Sequence, residues 1–183
     1  DTLLLRFDTY IGENEVIDNP PDFMFVDWTV IDGFSMHHPP KALGQTCLNM
    51  FYFGALDTAE KILRLLGDEE AAEACGRRRE SLRLAINSLL FDPKRGIYFE
   101  GLNTPEAEDR LSWALPQNTE KRYYLKHSNV LAAYFGVCDD NLARELIGKV
   151  MRDEIEGDIQ PYFTHYLFEA VLRLGLREEY TLK

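Results

Sequence analysis

The chain of 183 residues carries 20 Lys and Arg against 31 Asp and Glu, a formal net charge of −11, and that balance argues against a nucleic-acid partner, since phosphate binding is driven by Lys and Arg. Hydrophobic residues at 45% and charged residues at 28% describe a globular chain, long enough to bury roughly 70% of its unfolded surface without a disulfide or metal staple. No stretch approaches the ~20 apolar residues of a membrane span and no signal peptide opens the chain, so no membrane partner is expected.

Taken in chain order, Leu3 to Tyr10 reads as the tail of a helix. Residues 12–42 hold Gly12, Pro20, Pro21, Gly33, Pro39 and Pro40, a long loop of the kind that compact domains carry for a function. From Leu43 the apolar positions Cys47, Leu48, Phe51, Tyr52, Ala55, Leu56, Ala59, Ile62, Leu63 and Leu66 follow the stripe of a long amphipathic helix. Gly67 is placed for its left-handed stop, and Asp68 caps a second helix that ends near Phe91. The short connection makes the two an antiparallel hairpin.

Asp92 to Gly96 is a turn, followed by Ile97-Tyr98-Phe99 as a short strand, and residues 104–122 are a polar connection. A helix runs from Ser128, as its N-cap, to Phe135 and stops at Gly136. Asp139 or Asp140 caps the next, through Met151. Pro161 suits the first turn of another, with Phe163, Tyr166, Leu167, Ala170, Val171 and Leu174 on one face and Gly175 as its stop. The chain is therefore all-α, built of antiparallel helical hairpins with one short β element near residues 97–100. The recurrence of a helix ending in Leu-Gly, at Leu66-Gly67 and Leu174-Gly175, suits a solenoid or toroid.

Cys47, Cys75 and Cys138 form neither a CxxC pair nor an even set, which fits packing thiols in a reducing compartment and points to the cytoplasm. His37, His38, His127 and His165 show no metal-ligand spacing, and no phosphate loop, GxGxxG or GxSxG elbow occurs. No metal and no cofactor are expected. Candidate chemistry gathers instead in the loop from Asp22 to His38, where Phe25, Asp27, Trp28 and Asp32 combine aromatic faces with carboxylates, the pairing that polyols bind. The same residues also suit a plug at the end of a helical stack with turn-capping acids. His127, expected at a loop edge, and Tyr162, at a helix start, either line the same site or pack.

Several segments together resemble the catalytic domain of bacterial α-L-rhamnosidases, glycoside hydrolase family 78: Phe25-Val26-Asp27-Trp28, His38 to Thr46, Phe91 to Tyr98, Lys126-His127-Ser128-Asn129-Val130-Leu131-Ala132 and Pro161-Tyr162-Phe163. The resemblance runs from about Val16 to Tyr180 and implies part of an (α/α)6 toroid of six helical hairpins. It implies an inverting glycosidase that removes terminal α-L-rhamnose, with Asp27 and Trp28 on the sugar-contacting loop and His127 and Tyr162 near the pocket. The family's acid lies well before the Asp-Trp loop and its base beyond the Pro-Tyr-Phe helix, so no catalytic acid or base is carried over. Such a toroid needs about twelve helices of roughly 12–15 residues. Residues 1–183 are thus expected to be a single partial domain, a piece of such a barrel that is inactive alone, with a start at Asp1 and an end at Lys183 that read as cut edges. Ring-closing helix faces left exposed would favour a homo-oligomer. Two other readings remain open: another six-hairpin glycosidase, acting on glucosides or uronides, and a non-catalytic helical-hairpin module that binds a protein or a glycan.

Overall fold

A computed structural model describes residues 2–17, 26–31, 34–36, 41–102 and 122–180. The expected chemistry at Phe25 and Asp32 lies outside them, as do His37 and His38. The elements in order are helix α1 (Thr2–Asp8), strands β1 (Thr29–Ile31) and β2 (Phe34–Met36), helices α2 (Lys41–Leu65) and α3 (Glu69–Leu89), strands β3 (Phe91–Asp92) and β4 (Ile97–Tyr98), and helices α4 (Lys126–Phe135), α5 (Asp140–Met151), α6 (Thr164–Arg173) and α7 (Arg177–Tyr180). The all-α reading holds, with two antiparallel β pairs: β1 with β2 and β3 with β4. The first was not foreseen, because the Pro and Gly of residues 12–42 hide a three-residue alternation.

The helix stops follow their local chemistry. Gly67, Gly136 and Gly175 all have positive φ, and at each the next residue donates its N–H five residues back: Asp68 to Leu63, Val137 to Ala132, Leu176 to Val171. Asp68 accepts from Ala71 N–H and Asp139 from Asn141 and Leu142, so two of the expected caps are present. Two expectations need correction. Ser128 is not the cap of α4: Leu125 holds that position in extended conformation, and its side chain caps nothing. Pro161 does not open α6, which begins at Thr164 after a turn over residues 161–163.

One hydrophobic cluster runs from Val16 to Leu174. Helix α2 pairs with α3, and α4 packs against α2, α5 and α6. Central placement explains why every residue from His127 to Ala133 is buried. Small residues permit the close approach: a Cβ on Gly54 of α2 would collide with the Phe135 ring. An aromatic chain then joins three helices, from Phe51 to Phe135 and Tyr166, on to Phe163, and from Phe163 to His127 at 4.5 Å between ring centroids. Cys47 and Cys138 are buried. No helix among the described residues is long and apolar enough to cross a membrane.

Candidate functional site

The N-terminal half of α2 and the first turn of α4 bear a run of buried polar residues: Gln45, Thr46 and Asn49 on one helix, His127, Ser128 and Asn129 on the other. Buried polar groups must be paired, and these pair with the loops. Gln45 Oε1 accepts from Leu102 N–H at 2.7 Å, and Thr46 Oγ1 donates to Phe99 O at 2.6 Å. Asn49 accepts from Ile17 N–H and donates to Ile17 O, while Asn129 does the same with Tyr98. Backbone bonds extend the pattern: Thr46 N–H to Glu100 O, Glu100 N–H to Tyr123 O, and Lys126 N–H to Glu156 O. All these segments are thereby tied to the N-terminal turns of two core helices, and a loop cluster on rigid helices is where binding sites are commonly built.

Asp27 is the knot of that cluster. Its Oδ2 lies 2.9 Å from His127 Nε2 and accepts from Gln160 N–H at 3.0 Å, while Oδ1 accepts from Trp28 N–H at 2.8 Å. Burial pushes the carboxyl up, but the bonds from His127, Gln160 and Trp28 outweigh it and hold the group below its ordinary value. An ionised Asp27 can only accept, so His127 Nε2 carries the proton and donates it. Thr29 Oγ1 accepts from Asp158 N–H, and Tyr162 donates its hydroxyl to Val26 O at 2.5 Å. Burial pushes that hydroxyl up to about 12, so it remains a donor.

The expected site residues therefore divide. Asp27 and His127 are each 1% exposed, whereas Trp28 is 47% and Tyr162 53% exposed. His127 is a buried tether and not a loop-edge group, which differs from expectation because α4 begins two residues earlier and turns His127 inward toward Asp27. Trp28 follows Asp27 and donates its N–H to it, and Tyr162 donates to the carbonyl of Val26, so both are anchored to the segment that bears the tether. Asp158 is exposed on the same rim. Among the described residues, no three His, Cys, Asp or Glu side chains converge to hold a metal ion.

Glu100 gave no sequence signal beyond its place after the short strand. It is 1% exposed, its Oε1 accepts from Ser128 Oγ at 2.5 Å, and its Oε2 lies 3.8 Å from Cys47 Sγ. Burial pushes its carboxyl up to about 8, against the opposing hydrogen bonds from Ser128, the Leu125 amide and Cys47.

Helical hairpins whose loops are tied to the N-terminal turns of two core helices define the class of fold, an all-α helical-hairpin fold with short β pairs. Within that class the described fold is similar to two solved enzymes. One is a GH78 family rhamnosidase of Bacillus sp. GL1, with a TM-score of 0.70 and 20% identity over 94% of this chain and 16% of that one. The other is a rhamnosidase from Klebsiella oxytoca with rhamnose bound, with a TM-score of 0.69 and 20% identity over 95% of this chain and 29% of that one. The chain thus spans less than a third of either enzyme. No family model and no curated protein matches it.

Proposed function

We propose that this chain is part of an inverting glycoside hydrolase resembling α-L-rhamnosidase, and that the rim formed by residues 26–29 and 156–162 belongs to its pocket for a terminal α-L-rhamnosyl group. The observation that carries the reading is the division at Asp27: a buried carboxylate spends both oxygens on His127, Gln160 and Trp28, and leaves two aromatic side chains exposed beside it. Aromatic faces cover the C–H surfaces of a sugar, and rigid support lowers the ordering cost of binding. Asp27 and His127 then act on the sugar by holding Trp28 and Tyr162, and Phe25 and Asp32 are assigned to the same loop from sequence. The partner is carbohydrate, in keeping with the net charge of −11.

Inversion requires an acid that protonates the glycosidic oxygen and a second carboxylate that activates water, their carboxyls roughly 6.5–9.5 Å apart. Neither role is assigned to a residue of this chain. The chain is read as a single partial domain of an (α/α)6 barrel, cytoplasmic, and prone to self-association through exposed Leu65, Leu66, Phe168 and Leu172. The test is a paired measurement on the isolated chain. L-Rhamnose is expected to bind, D-glucose and D-glucuronate to bind more weakly, and an aryl α-L-rhamnoside to remain uncleaved. Stronger binding of glucose or glucuronate contradicts the rhamnose assignment, and robust turnover contradicts the absence of an acid and base.

A further inference from the structure

Helix α4 begins without a cap of its own. Its N-cap residue is Leu125, whose side chain accepts nothing, yet Leu125 and His127 to Asn129 are buried, where unpaired amides are costly. The missing acceptor comes from another segment. Glu100 accepts from the Ser128 hydroxyl at 2.5 Å, and the backbone amides of Leu125 and Ser128 are close enough to help hold its carboxyl down against burial. Those two amides are the N-cap and third positions of the helix, the pair that a capping box satisfies locally. Between them lies His127, whose Nε2 donates to Asp27.

We propose that Glu100 is a positioning residue: its carboxyl caps α4 from outside the helix and so sets the orientation of His127, which holds the Asp27 rim. The inference rests on the reading of that rim as sugar-facing for its functional meaning, while the coupling of Glu100 to His127 is argued from the Ser128–Glu100 bond next to His127 in the buried start of α4. The groups that face Glu100 are Thr46 and Cys47 of α2, Ser128 of α4 and the backbone of residues 123–125. No Lys or Arg among the described residues forms an ion pair with it. The carboxyl is pushed up to about 8 by burial, and the Cys47 thiol well above its ordinary value by burial and the Glu100 charge. Glu100 is thus the group of this cluster that ionises in mildly alkaline solution.

The experiment follows the His127 ring by nitrogen-15 NMR through neutral and mildly alkaline pH, with L-rhamnose binding measured alongside. It compares the wild-type chain with Glu100→Gln and Glu100→Leu. The wild type is expected to show a protected Nε2–H signal that shifts as Glu100 ionises near pH 8. Glu100→Gln, which keeps a capping carbonyl, should retain the protected signal and lose the alkaline shift. Glu100→Leu should lose protection about tenfold or more, in keeping with the loss of a buried cap. Wild-type protection in Glu100→Leu overturns the proposal. Should the Leu variant not fold, an alkaline shift that survives in Glu100→Gln overturns it. The expected His127 behaviour without any rhamnose binding contradicts the sugar reading and leaves the positioning role of Glu100 standing.

Discussion

Asn49 of α2 and Asn129 of α4 make the same three hydrogen bonds. Each accepts from the backbone N–H of a β-paired residue, Ile17 or Tyr98, donates to that residue's carbonyl, and donates again to the carbonyl four residues back, Gln45 or Leu125. One amide side chain thus stands in for a strand partner. The context repeats as well: a bridge between Ile11 and Ile17 follows α1, and the pair Phe91 with Tyr98 follows α3. The two helix–hairpin–helix units are related by use of an amide clamp, although their sequences show no strict repeat.

Removal of either clamp leaves buried backbone groups unpaired. Asn129→Ala and Asn49→Ala are each expected to cost about 2–4 kcal/mol in urea unfolding, from at least two orphaned groups at ~1–3 kcal/mol apiece. A loss below about 0.5 kcal/mol at both sites would contradict the clamp.

Close approach of α2 and α4 makes Gly54 sensitive to the smallest side chain. Gly54→Ala places a Cβ against the Phe135 ring and is expected to cost about 1–3 kcal/mol despite the better helix propensity of Ala. The double variant Gly54→Ala with Phe135→Leu should recover part of that loss.

Two buried carboxyls give stability opposite pH slopes. Asp27 is held below its ordinary value, so the unfolded chain binds more protons; its contribution is complete above the ordinary carboxylate range and lost as pH falls through the folded value. Asp27→Asn should flatten the acid limb of a stability–pH curve. Glu100 is pushed up to about 8, so the folded chain binds more protons between about 4.5 and 8, and stability falls as pH rises through that window. Glu100→Gln should flatten that decline. Thermal unfolding across pH in the two variants reads both slopes separately.

The helix stops at Gly67, Gly136 and Gly175 and the caps at Asp68 and Asp139 were legible in the sequence, because each is a bond between residues a few positions apart. The Asp27-Trp28 loop and Tyr162 were legible as candidates by composition. Glu100 and the asparagine clamps were not: their partners lie 28 to 32 residues away and follow no local period. The cap expected at Ser128 fails for the same reason. A serine three residues inside the helix resembles a cap only when the distant carboxyl that supplies the cap is out of view. A helix start suggests an edge for His127, whereas α4 is enclosed by three other helices.

The exposed aromatics carry the proposed contact with sugar. Trp28→Ala should weaken L-rhamnose binding by about tenfold, roughly 1.4 kcal/mol, while leaving the unfolding midpoint within the small range of a surface substitution. A large fall in stability would place Trp28 in the packing instead.

The most direct measurement of the account is an L-rhamnose titration of the wild-type chain followed by two-dimensional NMR, read at the Trp28 indole and at the amides of Asp27, Thr29, Asp158 and Gln160. Saturable shifts confined to these signals are expected, with the clamp residues Asn49 and Asn129 unmoved. Shifts absent at saturating sugar, or centred elsewhere on the helices, would contradict it.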